Sequence, residues 1–217
     1  VTFVTALPRP RADHAQPARS INPLLPHPPM TNTLESQLLY PLGDRLPGPG
    51  EVIELAPGVR WLRMRLPFAL DHINLWLLRD RADDGREGWA VVDCGIANDA
   101  TRTHWEQVFA NGLDGLPVLR ALVTHMHPDH IGLAHWLCDR WNAPLWISAA
   151  DYQIARFGCM GPTAFGGDRA ADFFAKHGLN SPDIVAQIRA RTNYFPSLVP
   201  SVPDQYCRTL DGGKLTI

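Results

Sequence analysis

The chain has 217 residues, of which 45% are hydrophobic and 19% charged, and its formal net charge is −2 at pH 7. This composition is typical of one globular domain with a sizeable core, and no basic block indicates a nucleic-acid groove. No apolar run is long enough to predict a membrane-spanning helix. The four cysteines lie far apart and form no CxxC pair, which favours reduced thiols in a cytoplasmic protein.

The amino-terminal segment differs in composition from the rest of the chain. Residues 1–29 contain seven of the 20 prolines and show no hydrophobic periodicity, which predicts a disordered extension. Met30 fits a native start, with an Arg-rich targeting segment as the alternative. A protein that begins at Met30 should fold and act like the longer one, because the extension buries too little apolar surface to offset its ordering entropy. Residues 30–50 form a polar, Pro/Gly-rich lead-in.

Strands are predicted next, and they precede a series of helices. The apolar runs predict strands over 51–55, 59–66, 73–78 and 89–92, and the third is apolar enough to be buried on both faces. Residues 79–88 predict a charged hairpin-type loop. Asn98 or Asp99 can cap a helix that runs to about Ala110.

The second half of the chain alternates between strands and helices, which predicts an α/β fold. Strands are expected at 118–124 and 144–147, helices at 131–141, 148–155, 168–177 and 182–191, an irregular Gly-rich segment at 156–167, a Pro-punctuated crossing at 194–203 and the beginning of a strand at 215–217.

Four metal-ligand-type side chains fall within six residues, directly after the apolar strand at 118–124 and before a helix. They are His125, His127, Asp129 and His130. Side chains at i and i+2 of an extended backbone point to the same side, so His125 and His127 can reach one metal together. The chain then turns, so Asp129 and His130 point in a different direction. Two metals sharing the loop are therefore a more natural arrangement than one metal with all four ligands. Imidazole plus carboxylate suits zinc, with iron or manganese as alternatives, whereas the competing interpretation is a His-rich surface loop.

The pattern His-x-His-x-Asp-His after a hydrophobic strand and a Thr resembles the motif of the metallo-β-lactamase-fold hydrolases. Residues 73–78, the stretch Val91-Val92-Asp93-Cys94-Gly95 and residues 211–217 are also similar to this family. The resemblance covers about residues 51–217. It implies the four-layer αββα sandwich, a domain incomplete at its carboxyl end, with mainly the first half of the sandwich present.

The resemblance also implies roles for individual residues. His125, His127, Asp129 and His130 match the metal ligands, and Asp129 would also be the catalytic proton acceptor. Asp93 matches an aspartate that supports the metal loop through hydrogen bonds, although ordinary turn chemistry also explains an aspartate before glycine. Asn74 matches the family pattern, and we expect it only to satisfy backbone groups.

The ligand count suggests that part of the site is absent. A catalytic zinc usually holds three protein ligands, so two metals need about five or six, and the chain supplies four. In the family, a further His, a bridging Asp and a final His complete the set, and residues 211–217 resemble the strand just before the first of them. The chain is therefore expected to be truncated and to lack enzymatic activity on its own. One face of its sheet is also expected to be uncovered. The other histidines after Met30 are expected to be ordinary surface or core residues: His72, His104, His135 and His177.

The activity that the resemblance implies is metal-dependent hydrolysis, with two zinc ions sharing a hydroxide. The absence of a basic groove favours a small-molecule ester, thioester or lactone, as in the glyoxalase-II-like branch. Alternatives are a phosphodiester or RNA hydrolase, a β-lactamase, a persulfide dioxygenase with one iron, and a non-catalytic binding module. Two bound zinc ions would favour hydrolysis. One bound iron would favour chemistry with oxygen, and the absence of any metal would favour a binding role.

Overall fold

The computed structural model of the chain describes residue 34 and residues 37–68, 70–161, 166–204 and 207–209, the last three as backbone. The predicted extension over 1–29 and the predicted strand over 215–217 lie outside the described residues. The chain forms two compact units, residues 1–43 and 44–217. In the first unit the described backbone makes two tight turns, closed by hydrogen bonds from the Gln37 N–H to the Leu34 carbonyl and from the Gly43 N–H to the Tyr40 carbonyl.

The second unit contains every strand and helix of the described residues. The strands are β1 (Ile53–Ala56), β2 (Val59–Arg65), β3 (His72–Arg81), β4 (Glu87–Val92), β5 (Val118–Leu122), β6 (Leu145–Ile147) and β7 (Cys207–Thr209). The helices are α1 (Asp99–Asn111), α2 (Pro128–Ile131), α3 (Ala134–Trp141), α4 (Ala149–Cys159), α5 (Gly167–Lys176), α6 (Pro182–Ala190) and α7 (Tyr194–Leu198). None of these helices is long and apolar enough to cross a membrane.

All seven strands form one mixed sheet, in the order β1-β2-β3-β4-β5-β6-β7. The strands from β1 to β4 pair antiparallel, and β4, β5, β6 and β7 pair parallel. Parallel neighbours need crossover connections, which α1 supplies between β4 and β5 and α2 and α3 supply between β5 and β6. The carboxyl ends of β4 and β5 therefore meet at one edge of the sheet. The predicted α/β class is confirmed.

One face of the sheet packs against helices to form the core. Leu62, Leu75 and Val91 lie on this face, on three neighbouring strands, and are almost completely buried. Trp105 and Val108 of α1 belong to the same cluster, as their 3-residue spacing predicts. Asn98 caps α1 by accepting a 2.8 Å hydrogen bond from the Thr101 N–H, so Asn98 rather than Asp99 is the cap.

The opposite face of β3 is not buried, and the prediction of a strand buried on both faces is wrong. Asn74 is exposed, and Trp76 and Leu78 are half-buried. Asn74 was expected to satisfy backbone groups. Within the described residues it instead accepts side-chain hydrogen bonds from the Trp61 Nε1 at 2.9 Å and from the Arg63 Nε at 3.3 Å. The apolar residues of this face thus retain partial solvent contact within the described structure.

The predicted loop over 79–88 is shorter than expected. β3 continues to Arg81 and β4 begins at Glu87, so only residues 82–86 form the turn. Arg79 and Arg81 each form a 2.8 Å ion pair with Glu87 across the two strands. Opposite charges on facing strands stabilise the pairing, and the charges that indicated a loop therefore belong to a hairpin.

Three helical regions also differ from expectation. The predicted helix over 131–141 is two helices, α2 and α3, separated at Gly132 and Leu133. α4 continues through Cys159 into the segment predicted as irregular, and α7 occupies part of the predicted crossing. Pro196 is the third residue of α7, where its missing N–H has no intrahelical partner to lose, so the proline is compatible with a helix start. The strand β7 was not predicted.

Candidate metal centre

The histidine loop lies at the carboxyl edge of the sheet, where β4 and β5 end side by side. The Asp93 N–H donates to the Leu122 carbonyl at 2.8 Å, which extends the pairing of these two strands by one residue. The chain then leaves the sheet at Thr124 and turns into α2. His127 has an extended backbone just before Pro128, as the proline predicts. Ligand sites of open α/β sheets lie at this edge.

His125 and His127 point to the same side of the loop. The His125 Nε2 lies 3.0 Å from the His127 Nδ1, and the two rings are 4.6 Å apart at 75°. His125 is half-buried, whereas His127 is exposed. The other ring nitrogen of His125, Nδ1, lies 3.0 Å from the Thr124 hydroxyl.

Asp129 and His130 form a second pair in the first turn of α2. The His130 Nε2 lies 3.5 Å from an Asp129 carboxylate oxygen. The His130 ring is also close to the His125 ring, with 3.9 Å between centroids, so the two predicted pairs adjoin one another. The structure therefore brings all four predicted residues together on one loop.

Asp93 is buried beneath this loop and contacts it at three points. Its Oδ1 accepts a 2.8 Å hydrogen bond from the Thr124 N–H, its Oδ2 accepts a 2.9 Å bond from the Thr124 hydroxyl, and the same Oδ2 lies 2.8 Å from the His130 Nδ1. The backbone of Asp93 has a φ of +62°, a left-handed conformation that aspartate tolerates better than most residues. Asp93 thus has both properties expected of it: its backbone forms a tight turn, and its side chain supports the histidine loop through hydrogen bonds.

The two histidines at the centre of the loop have opposite pKa shifts. Burial, together with the neighbouring His130 and His127, lowers the pKa of His125. Burial opposes protonation of His130 as well, but its hydrogen bond with Asp93 and the Asp93 and Asp129 charges raise the pKa of His130 overall. Near neutral pH, His125 is therefore neutral and offers a lone pair, which metal binding requires.

Backbone hydrogen bonds join the Asp93 turn to the start of α2. The Cys94 N–H donates to the His130 carbonyl at 2.7 Å, and the Leu133 N–H donates to the Gly95 carbonyl at 3.1 Å. Gly132 lies between these contacts. A Cβ at Gly132 would lie 2.5 Å from the Pro128 carbonyl oxygen, 2.7 Å from the Ala97 nitrogen and 2.8 Å from the Gly95 carbonyl oxygen. Only glycine therefore allows the two loops to approach this closely.

Gly132→Ala should destabilise the protein by about 1–3 kcal/mol, because the added methyl group meets backbone atoms that cannot rotate away. Urea unfolding followed by circular dichroism measures this change. Gly48→Ala is the matched control, since its Cβ would meet only the flexible Glu51 side chain. Equal stability of the two variants would show that the loops can separate without cost.

Asp151 also supports the histidine loop, and the sequence did not indicate this role. Its Oδ1 accepts a 3.1 Å hydrogen bond from the Met126 N–H, and its Oδ2 accepts a 2.5 Å bond from the Ser148 hydroxyl. Ser148 caps α4 by accepting a hydrogen bond from the Asp151 N–H at 3.0 Å. The backbone between His125 and His127 is therefore held by a helix that begins more than twenty residues further along the chain.

The buried cysteines are not suited to nucleophilic chemistry. Cys94 and Cys138 are almost inaccessible. Burial raises the pKa of Cys94 well above its usual value and raises the pKa of Cys138 to about 12. Both thiols therefore stay protonated at neutral pH, and the thiolate is the reactive form.

The distances between the donor atoms of the loop are compatible with two ligand positions on a metal ion for each pair. Two ligand atoms on one tetrahedral zinc lie about 3.3 Å apart. The 3.0 Å separation of the His125 and His127 nitrogens and the 3.5 Å separation between His130 and Asp129 lie on either side of this value. Among the residues that the structure describes, no group of three or more His, Cys, Asp or Glu side chains is arranged to hold a metal ion. The described part of the chain thus supplies two pairs of donors rather than a closed site.

Comparisons with known proteins agree with this arrangement. The family model of the metallo-beta-lactamase superfamily matches residues 69–177, which is half of the chain. The solved structure of a beta-lactamase domain protein from Burkholderia ambifaria is 52% identical and has a TM-score of 0.74, with 86% of this chain and 52% of that chain covered. A metallo-beta-lactamase family protein from Thermus thermophilus is 26% identical, with a TM-score of 0.49 and coverage of 76% and 50%. The search of curated proteins gave no significant match.

The family model and the Burkholderia ambifaria structure show which family the chain belongs to. A mixed α/β sheet that carries a His-x-His-x-Asp-His loop at its carboxyl edge has a hydrolase-type fold, and the chain belongs to the metallo-beta-lactamase superfamily. The resemblance inferred from the sequence is thereby confirmed. The chain spans about half the length of these two solved proteins.

Proposed function

We propose that the protein is a metal-dependent hydrolase that uses two zinc ions to cleave a small ester, thioester or lactone. His125 and His127 would hold one ion, and Asp129 and His130 would hold the other. The observation that carries this proposal is the hydrogen-bond network from Asp93 through Thr124 to two of these histidines, because it directs their free nitrogens toward the other ligands.

Asp93 determines which nitrogen of His130 carries the proton. An ionised carboxylate can only accept hydrogen bonds, so the His130 Nδ1 at 2.8 Å must donate to it. The Nε2 of His130 then has its lone pair free on the side of Asp129. A histidine that ligates a metal typically donates its other N–H to a carboxylate in this way, which fixes the ring and raises its basicity.

Thr124 determines which nitrogen of His125 carries the proton. Its hydroxyl has one proton, which it donates to Asp93 at 2.9 Å. The oxygen can then only accept from the His125 Nδ1 at 3.0 Å, so Nδ1 carries the proton of this ring. The His125 Nε2 lone pair therefore faces His127. One buried carboxylate thus orients one histidine of each pair.

Bound zinc ions lower the pKa of water and polarise a carbonyl oxygen, which together allow hydrolysis at neutral pH. Asp129 is half-buried beside His130 and would accept the proton released during the attack on the substrate. The protonated, buried thiols of Cys94 and Cys138 support direct attack by water over a cysteine nucleophile.

The test compares metal content with turnover in the purified full-length protein, because this chain alone is expected to lack part of its ligand set. We expect zinc loading to produce hydrolysis of a thioester or a lactone, and chelation to abolish it. Asp129→Asn should lower turnover by about 10²- to 10⁴-fold, the range for loss of a general base. A protein that binds zinc but cleaves neither substrate, or that requires one iron and consumes oxygen, would contradict the proposal.

A further inference from the structure

A second candidate binding site lies beside the β2–β3 hairpin, in a cavity of about 500 Å³. Two arginines and two histidines line it, together with an apolar wall. The polar residues are Arg63, Arg65, His72 and His104, and the wall includes Leu46, Pro47 and Leu66. None of these residues belongs to the histidine loop.

The cavity has more positive groups than acidic partners. Its carboxylate, Asp71, is already paired with His72. The Arg63 Nε donates to the neutral Asn74, and within the described residues neither Arg63 nor Arg65 forms an ion pair. An exposed arginine next to a second arginine, with no carboxylate to neutralise it, is suited to binding an oxyanion.

His104 of α1 adds a further unsatisfied group. Its Nδ1 is buried and has no hydrogen-bond partner among the described atoms. Burial, together with the charge of Arg65, lowers the pKa of His104. The enclosed Nδ1 cannot itself contact a ligand, so His104 contributes to the cavity only as part of its lining.

The sheet places this cavity at the same edge as the histidine loop. Arg65 pairs with His72 at the end of the hairpin, and Trp76 pairs with Val92, the residue before Asp93. The β2 end is three strand spacings from β5, or about 14 Å across the sheet. One extended small molecule can therefore reach both places.

We propose that this cavity binds the phosphate or carboxylate group of an amphiphilic organic anion, whose apolar part lies along Leu46, Pro47 and Leu66. A second inference rests on the proposed function: this anion is the far end of the substrate, whose reacting group lies at the histidine loop, about 14 Å across the sheet from the β2 end. Phosphate and carboxylate both present an oxyanion that arginine can bind, and the experiment below determines which of the two the cavity prefers.

The binding test uses hexyl phosphate, hexanoate and inorganic phosphate in titration calorimetry at constant ionic strength. We expect hexyl phosphate, hexanoate or both to bind more tightly than inorganic phosphate. The tighter of these two amphiphilic anions shows whether the cavity prefers a phosphate or a carboxylate. Arg65→Gln should weaken that binding about tenfold or more, and Arg65→Lys should restore part of it. Arg169→Gln is the matched control, because Arg169 is an exposed arginine on α5.

Three outcomes would overturn the proposal. These are failure of both hexyl anions to bind, equal binding by Arg65→Gln and Arg169→Gln, and binding of inorganic phosphate as tight as that of hexyl phosphate. Thermal midpoints of the variants check that each is folded. Arg65 is exposed, so its replacement leaves the core intact.

A kinetic test addresses the link to the substrate. Two thioesters are compared that differ only in a terminal anionic group of the type identified by calorimetry. The anionic thioester should have the lower KM in the unchanged protein, and this advantage should disappear in Arg65→Gln but not in Arg169→Gln. Anion binding without any turnover would refute the hydrolase function and leave the anion site standing, whereas turnover without anion preference would refute the site's role in the substrate.

Discussion

In the full-length protein, replacement of both His125 and His127 by alanine should remove one zinc equivalent and reduce hydrolysis to background. Their ring nitrogens lie 3.0 Å apart and would supply two positions on the same ion, so no single neighbouring donor could compensate for the loss of both. His127 is exposed and His125 is only half-buried, so the fold should tolerate the change. Elemental analysis and a thioester assay measure the two effects.

His135→Ala is the matched control for this double variant. His135 lies on α3, and its Nε2 is 3.2 Å from an Asp139 carboxylate oxygen one helical turn away, so its contact is local to the helix and remote from the loop's ligand pairs. We expect this control to keep both its zinc content and its activity. Unchanged zinc content in the double variant would show that the pair is not a ligand pair.

The histidine loop and its position at a strand end were predictable from the sequence because both depend on local pattern. The apolar run before His125 predicts a strand, and the alternation of side chains along extended backbone places His125 and His127 together. The structure has this arrangement, with His127 extended before Pro128. The place of Asp93 at the end of the strand over 89–92 was predicted from the same kind of local signal, whereas its role beneath the loop was inferred only from the family resemblance.

The support from Asp151 was not predictable, because it depends on how distant elements pack. Asp151 follows a Ser cap, and an acidic residue in the first turn of a helix is fully explained by the helix dipole. Nothing in the local sequence distinguishes such a residue from one whose carboxylate also accepts from the Met126 N–H. That contact arises only when β5 and β6 pair and bring the start of α4 beside the loop.

The division between α2 and α3 has a similar cause. The apolar spacing over 131–141 fits one continuous helix, and a single glycine inside it was not a sufficient reason to predict a break. In the structure the backbone at Gly132 lies against the Gly95 carbonyl of another loop, so the break follows from tertiary contact. Likewise, the charges of Arg81 and Glu87 indicated a loop, whereas pairing across two strands converts them into stabilising partners.

Asp93→Asn should weaken zinc affinity by about 10- to 100-fold while the protein remains folded. Asparagine also tolerates the left-handed backbone at φ +62°, but its amide carries no charge and cannot accept hydrogen bonds at both ends from Thr124 and His130. Asp93→Gly keeps the backbone conformation at no steric cost and removes every side-chain contact, so its affinity should be equally low or lower.

Asp93→Ala separates the two properties of this residue, because it removes the carboxylate and also leaves a Cβ at positive φ. Its zinc affinity should match that of Asp93→Gly, whereas its stability should be lower by about 1–2 kcal/mol, the cost of a left-handed alanine. Competition with a zinc-binding dye gives the affinities, and urea unfolding of the metal-free proteins gives the stabilities. If all three variants kept the original zinc affinity and only Asp93→Ala lost stability, Asp93 would serve the turn alone, and the hydrogen bonds to Thr124 and His130 would contribute nothing to metal binding.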